Sequence, residues 1–206
     1  MQKPHKPAAV FLNIPYDDRF RRLYLAYITG LTQLGLEPRA TLGIPGGERR
    51  LDRIQALIES CPYSIHDLSR VQLDRNPPPT PRFNMPFELG LTVALARRNA
   101  ARHLWFVFEA EERRLMKSLS DLNGSDVYIH DGTVEGVMRQ LCNAFVRRRG
   151  PQPTVPEMMK TYRLVSRRVD AIMANAGARS IFEARVFADL SFAAQTTVKL
   201  LRRELV

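Results

Sequence analysis

Short apolar runs alternate with amphipathic segments over residues 8–149, and this alternation limits the possible folds more than any other feature of the chain. A short continuous apolar run suits a parallel strand that is buried on both faces, whereas apolar residues at helical spacing indicate an amphipathic helix. Strands that alternate with helices favour a parallel sheet with right-handed crossovers. The sequence therefore predicts an α/β fold with a doubly wound, flavodoxin-like parallel sheet of about five strands.

The bounds of the predicted elements follow from these periods and from the Gly and Pro residues between them. Strands are expected at 8–13, 37–43, 63–68, 103–108 and 126–130. Helices are expected at 20–34, 48–60, 86–99, 111–119 and 134–149. A proline-rich loop over 70–83 is expected to precede the third helix.

Residues 150–206 are predicted to form a basic helical extension of the α/β domain at 1–149. The Gly and Pro residues at 150–153 read as a linker. Thr154 with Glu157, and Ser180 with Glu183, match the capping pattern of helix starts and predict two helices, at about 155–175 and 180–204. Two helices are too few to form a core alone, so we expect them to pack on the α/β domain or on another subunit.

Composition suits a chain with a real core, since 45% of the residues are hydrophobic and 25% are charged. The sequence has no apolar run near the ~20 residues of a membrane span and no signal-peptide pattern at its start, so no membrane partner is expected. A cytoplasmic location is expected, because the two cysteines suit buried thiols in a reducing compartment better than a disulfide. Cys61 and Cys142 are expected to be buried thiols, and the four His residues show no metal-ligand spacing. No metal or cofactor is predicted.

The net charge of +10 is unusual for an enzyme that acts on small molecules. Residues 147–206 carry 12 Lys and Arg against 5 Asp and Glu, an excess of 7. This surface is either a solvated cationic face or a patch for nucleic acid, an acidic partner or a phosphorylated ligand.

The candidate ligand-binding residues follow the predicted strands, because ligands of open parallel sheets bind beyond the carboxyl ends of the strands. The candidates are Asn13, Tyr16 and Asp17 after the first strand, Gly46, Arg49 and Arg50 after the second, and Asp67, Ser69, Asn84 and Glu88 around the loop after the third.

Glu88 is the strongest catalytic candidate and is expected on the first turns of a helix, between apolar neighbours. A carboxylate in such a place can stabilise or attack an oxocarbenium-like centre when an N-glycosidic bond breaks. An ion pair with an arginine such as Arg82, or a helix-start role, is the alternative explanation. Asp67 is the second catalytic candidate and can hold ribose hydroxyls, unless it only forms a turn. His66 is expected to point to the opposite face of the strand from Asp67, as a structural histidine.

The remaining candidates have weaker signals. Gly46 precedes a helix start that carries Arg49 and Arg50, where backbone N–H groups and guanidinium groups can hold a phosphate. A plain turn is the alternative, because the segment lacks the pattern of a P-loop or of a dinucleotide fold. Asn13 and Asp17 lie where a nucleoside can sit, although Asp17 can also begin a helix.

The segment with Asp67-Leu68-Ser69, Asn84, Phe87-Glu88-Leu89-Gly90 and Ala94-Leu95 resembles the core motif of one superfamily. That superfamily unites nucleoside 2-deoxyribosyltransferases with TIR and TIR-like domains, including NAD-cleaving bacterial ones. The similarity extends through the predicted fold to about residues 8–149. The first loop lacks the glycine usual in deoxyribosyltransferases, and the spacer at 70–83 is long.

The resemblance implies that Glu88 acts on the anomeric carbon and that Asp67 lines the pocket. It implies N-glycosidic cleavage of a nucleotide or nucleoside, with NAD as substrate rather than cofactor, in a homo-oligomer that takes part in bacterial defence. Two other hypotheses stay open: a nucleotide-binding or signalling module without catalysis, and a nucleic-acid-associated protein that binds through its basic tail.

Overall fold

Five parallel strands form the central sheet, as the alternation predicted. The computed structural model describes residues 7–43, 49–71, 73–74, 80–98, 103–146 and 151–203. The strands of the sheet are β1 (Ala9–Asn13), β2 (Glu37–Ala40), β3 (Tyr63–Asp67), β4 (Leu104–Glu109) and β5 (Val127–Ile129). Their spatial order is β2-β1-β3-β4-β5, the doubly wound flavodoxin-like order. All strands of this sheet are parallel, and the order in which they are added to the sheet reverses between β1 and β3.

Helices connect the strands and continue beyond the sheet. They are α1 (Arg21–Gln33), α2 (Arg50–Ser60), α3 (Asn84–Arg98), α4 (Arg114–Ser118), α5 (Val134–Ala144), α6 (Val155–Ser166), α7 (Val169–Ala176) and α8 (Ala184–Arg203). The predicted second strand is too long, because the chain turns into a 3-10 helix at Thr41–Gly43. The loop expected over 70–83 contains a separate two-residue pairing of Leu73–Asp74 with Thr80–Pro81.

The two faces of the sheet follow from side-chain alternation in β1. Val10 and Leu12 join the apolar cluster that contains residues of α1 and α5, whereas Phe11 joins residues of α2 on the other face. In the parallel register Asn13 lies beside His66 of β3. Successive residues of a strand point to opposite faces, so the two share the face of Phe11, while Asp67 points towards α1.

The C-terminal extension has three helices, so the prediction of two was wrong. The α-helical ladder of α6 ends where the Arg168 N–H bonds to the Val165 carbonyl only three residues back, and this tightened turn directs Val169 into the core. The last helix begins at Ala184 rather than near 180, because the Glu183 carboxylate accepts the backbone N–H groups of the turn before it.

The extension belongs to the same apolar core as the sheet. Met158 of α6 and Leu190 of α8 are fully buried in the cluster that also holds α1 and α5. Gly30 of α1 lets both α5 and α6 approach closely, since a Cβ there would lie 2.6 Å from Leu141 Cδ1 of α5 and 3.2 Å from Met158 Cε of α6. The extension was expected to pack on the α/β domain or on another subunit, and its packing on the α/β domain is confirmed. Within the described residues, no helix has the length and apolarity that a membrane span requires.

Candidate functional site

A cleft of about 590 Å³ opens at the carboxyl end of β1, beside the first turns of α3. Its walls are formed by four parts of the chain: the segment after β1, the 3-10 turn after β2, the start of α2, and the residues from Thr80 into α3. Five of the predicted site residues line it: Asn13, Tyr16, Arg50, Asn84 and Glu88. The fold therefore brings together candidates from three separate connecting segments at the edge where parallel sheets bind ligands.

Glu88 lies on the second turn of α3 and is only 7% exposed. Burial raises the pKa of its carboxyl group from 4.5 to about 7, and the positive charge of Arg50 partly opposes this shift. Within the described chain its carboxylate forms neither a hydrogen bond nor an ion pair, so the suggested pairing with Arg82 is absent. The group can therefore take up or release a proton near neutral pH and remains available to a ligand.

Asn13 forms the floor of the cleft where β1 ends. Its Nδ2 lies 2.9 Å from the Met85 carbonyl oxygen of α3 and 2.8 Å from His66 Nδ1 of β3. Asn13 is 4% exposed and His66 is fully buried. These contacts hold one polar side chain of the cleft between a strand and the helix that carries Glu88.

Tyr16 connects the cleft to the C-terminal helices. Its ring lies 6.2 Å from the ring of Tyr24 in α1 and 5.9 Å from Phe182, which precedes α8. Burial raises the pKa of the Tyr16 phenol, so the group stays a neutral hydroxyl. Its hydroxyl donates to the Leu12 backbone carbonyl oxygen of β1 at 3.4 Å, and both Tyr16 and Thr41 line the cleft. One wall of the cleft thus depends on the packing of the extension.

Asp17 lies behind the cleft and holds two arginines. Its Oδ2 is 2.8 Å from Arg82 and 3.3 Å from Arg70. Its Oδ1 also accepts the Phe20 backbone N–H, so Asp17 caps the 3-10 turn that precedes α1. Arg82 lines the cleft, so Asp17 acts there through the cation it holds.

Asp67 lies on the other face of the sheet and is fully buried away from the cleft. Its carboxylate accepts hydrogen bonds from the Tyr27 hydroxyl at 2.7 Å and the Ser69 backbone N–H at 2.9 Å. His130 Nε2 lies 3.2 Å from the same carboxylate. All of its oxygens are engaged in this cluster, which gives Asp67 a structural role. The geometry does not support a direct contact between Asp67 and a ligand in this cleft.

Ser69, His130 and Asp67 do not form a catalytic triad. Both Ser69 Oγ, at 3.0 Å, and Asp67 Oδ2 approach the same ring nitrogen, Nε2. The other nitrogen, Nδ1, receives the backbone N–H of Gly132 and must be the unprotonated one. A base that removes the serine proton needs a free Nε2, with the carboxylate on Nδ1.

The other candidates lie outside the cleft or outside the described residues. Arg49 is an exposed residue at the start of α2 and is not part of the cleft wall. Gly46 falls within 44–48, outside the described residues. Glu109, which is not one of the predicted site residues, is 1% exposed at the end of β4; its carboxylate accepts the backbone N–H of Ala110, and burial raises its pKa.

Sequence reasoning missed three residues that shape the site. The sequence suggests Arg82 only as a possible partner of Glu88 and not as a site residue. Phe182 lies in the extension, and the prediction of a structural role for His66 does not include its contact to Asn13. Only the strand period carried a signal for His66, because it places His66 and Asn13 on the same face of neighbouring strands. The described residues contain no group of three or more potential metal ligands.

Comparison of this chain with protein-family models and with curated proteins finds no match.

Proposed function

We propose that this protein cleaves the N-glycosidic bond of a nucleotide in the cleft of Glu88, and that NAD is the first substrate to test. The observation that carries the proposal is a buried, unpaired carboxyl group whose pKa is raised to about 7, in a cleft that also contains arginines. A carboxylate of this kind stabilises positive charge on an anomeric carbon better than a fully hydrated one, because water does not screen it.

In the reaction, the bond between C1′ of the ribose and the ring nitrogen of nicotinamide breaks, and its electron pair leaves with nicotinamide. The ionised Glu88 carboxylate stabilises the ribosyl cation or traps it as an ester at C1′. Water then attacks C1′ and loses one proton, and where an ester has formed, its C1′–O bond breaks and the electron pair returns to the Glu88 carboxylate. The sum is that NAD and water yield ADP-ribose, nicotinamide and a proton. A second base in place of water gives a transfer reaction.

Arginines at the mouth suit the phosphates of such a substrate. Arg50 and Arg82 line the cleft, and a guanidinium group can bind a phosphate with two parallel hydrogen bonds. Arg49, the other predicted phosphate contact, is turned to solvent at the start of α2. Asn13 and Asn84 supply polar groups for ribose hydroxyls.

The test is incubation of the purified protein with NAD and, separately, with deoxynucleosides, with products separated by chromatography. Release of nicotinamide or free base by the wild type, and its loss in Glu88→Gln, would support the proposal. We expect kcat/KM to rise with pH through about 7, because the ionised carboxylate is the active form. No turnover by folded protein, even at high concentration, would contradict it.

A binding module without catalysis is the second candidate, and the position of Asp67 favours it. The expected pair of acidic residues is split between two faces of the sheet, so the cleft contains Glu88 without Asp67. Nucleotide binding that is unchanged by Glu88→Gln, with no product, would support this function. Three expectations stay predictions: a homo-oligomer, a nucleic-acid or acidic partner of the basic tail, and a cytoplasmic location.

A further inference from the structure

We propose that Asn13 presents its carbonyl oxygen Oδ1 to the cleft as a hydrogen-bond acceptor for a ligand hydroxyl, and that His66 is the positioning residue that holds it in this orientation. The assignment of that hydroxyl to a ribose rests on the proposed function. The orientation of Asn13 does not, because it follows from contacts inside the protein.

The first step is the contact with α3. The Met85 backbone carbonyl oxygen can only accept a hydrogen bond, so the Asn13 atom 2.9 Å away must be the amide nitrogen Nδ2. The second hydrogen of Nδ2 points to His66 Nδ1 at 2.8 Å. His66 must therefore offer a lone pair at Nδ1 and carry its proton on Nε2.

The second step starts from the opposite end of the same chain of hydrogen bonds. His103 Nδ1 lies 2.8 Å from the Cys61 carbonyl oxygen, which again can only accept, so His103 is protonated there. A neutral His103 then accepts at Nε2 from Ser64 Oγ, at 2.9 Å. Ser64 in turn accepts from His66 Nε2 at 3.0 Å, which places the His66 proton on Nε2. The two ends of this series of hydrogen bonds independently require the same tautomer of His66.

Burial keeps both histidines of this hydrogen-bond series neutral. It lowers the pKa of His66 to about 3, and it also lowers the pKa of His103. A second proton on His66 would point at the Nδ2 hydrogen of Asn13, so the neutral ring is required for the contact.

The consequence is a fixed polarity at the floor of the cleft. Both Nδ2 hydrogens are used inside the protein, whereas Oδ1 has no partner within the described chain and is not sealed from solvent. Asn13 lines the cleft, so Oδ1 opens onto it. A group that binds there must donate, and a sugar hydroxyl can do so whereas a phosphate or carbonyl oxygen cannot.

The orientation is tested without ligand, by NMR of protein labelled with ¹⁵N-histidine, with His66→Gln used to assign the signals. We expect His66 to show the neutral form with the proton on Nε2 from pH 5 to 8. A proton on Nδ1, or a charged ring in this range, would overturn the assignment.

The hydroxyl is tested by binding to Glu88→Gln protein, which prevents turnover. The probes are NAD and two NAD analogues in which fluorine replaces the 2′- or 3′-hydroxyl of the nicotinamide ribose. We expect at least one analogue to bind about tenfold more weakly than NAD. With Asn13→Ala added, the analogues and NAD should bind with similar affinity.

His66→Met in the same background should also reduce the discrimination, since Asn13 can then rotate. His66→Gln should retain it, because glutamine can accept from Asn13 and donate to Ser64. If His66→Met does not fold, the Asn13→Ala variant still tests the hydroxyl contact and the NMR signals still test the orientation of Asn13. The hydroxyl assignment would be overturned if the Glu88→Gln protein bound all three probes with equal affinity, or if it did not bind NAD. If the wild type showed no turnover while the Glu88→Gln protein still bound NAD more tightly than an analogue, only the proposed function would be refuted.

Discussion

The rings of Tyr16 and Phe182 lie 5.9 Å apart, and this contact joins the C-terminal helices to the wall of the cleft. Phe182 also packs at 5.1 Å against Tyr24 of α1, so one aromatic cluster includes the cleft, the first helix and the extension. The extension thus supports the cleft from behind and shares its core.

Phe182→Ala should lower the free energy of unfolding by roughly 2 kcal/mol, because a partly buried ring leaves a space beside Tyr16. It should also weaken nucleotide binding, since Tyr16 loses its support. Phe192→Ala in α8 is the matched control: that ring is 70% exposed, and its removal should change neither property. Urea denaturation and calorimetric titration measure both. Equal effects of the two substitutions would contradict the supporting role.

Glu88→Gln should stabilise the protein at pH 8 by roughly 1–3 kcal/mol. The folded-state pKa of about 7 lies above the ordinary value of 4.5, so folding disfavours the ionised form. This cost is absent below about pH 4, grows as the pH rises towards 7 and is constant above it. Thermal unfolding of both proteins at pH 4.5 and pH 8 measures it. The idea fails if the difference in stability is the same at both pH values.

Asp67→Asn should destabilise the protein by roughly 2–3 kcal/mol without changing the kinetic constants of the molecules that remain folded. An amide nitrogen in place of Oδ2 would face the Tyr27 hydroxyl and the His130 Nε2 proton, which are both donors. Urea denaturation and steady-state kinetics separate the two effects. A large loss of kcat with unchanged stability would instead place Asp67 in the reaction.

Gly136→Ala should be strongly destabilising, by more than about 2 kcal/mol, whereas Gly90→Ala should stabilise by roughly 0.5–1 kcal/mol. A Cβ on Gly136 in α5 would lie 2.0 Å from the His130 carbonyl oxygen, and backbone cannot move aside as a flexible side chain can. At Gly90 in α3 no heavy atom lies within 4 Å of the added carbon. Thermal unfolding of the two variants compares them directly. A neutral Gly136→Ala would show that the turn before α5 can shift.

The secondary structure was largely predictable, because strand and helix periods are local properties of the chain. The errors lie at ends that distant contacts decide. Helix α6 stops at Ser166 because a tightened turn directs Val169 into the core, and no local pattern announces this. Five of the ten candidate site residues line the cleft, because the carboxyl ends of parallel strands share one edge.

The alternation of elements by itself determined the α/β fold, and the period of two in β3 determined that His66 and Asp67 point to opposite faces. Only the tertiary structure decided which of those faces adjoins the cleft. That choice depends on contacts between residues far apart in the chain: Asn13 with Met85, 72 positions away, and Tyr27 with Asp67, 40 positions away. A strand's own sequence specifies that two faces exist, whereas the helices and loops that pack on each face specify which one adjoins the cleft and which one holds the Asp67 cluster.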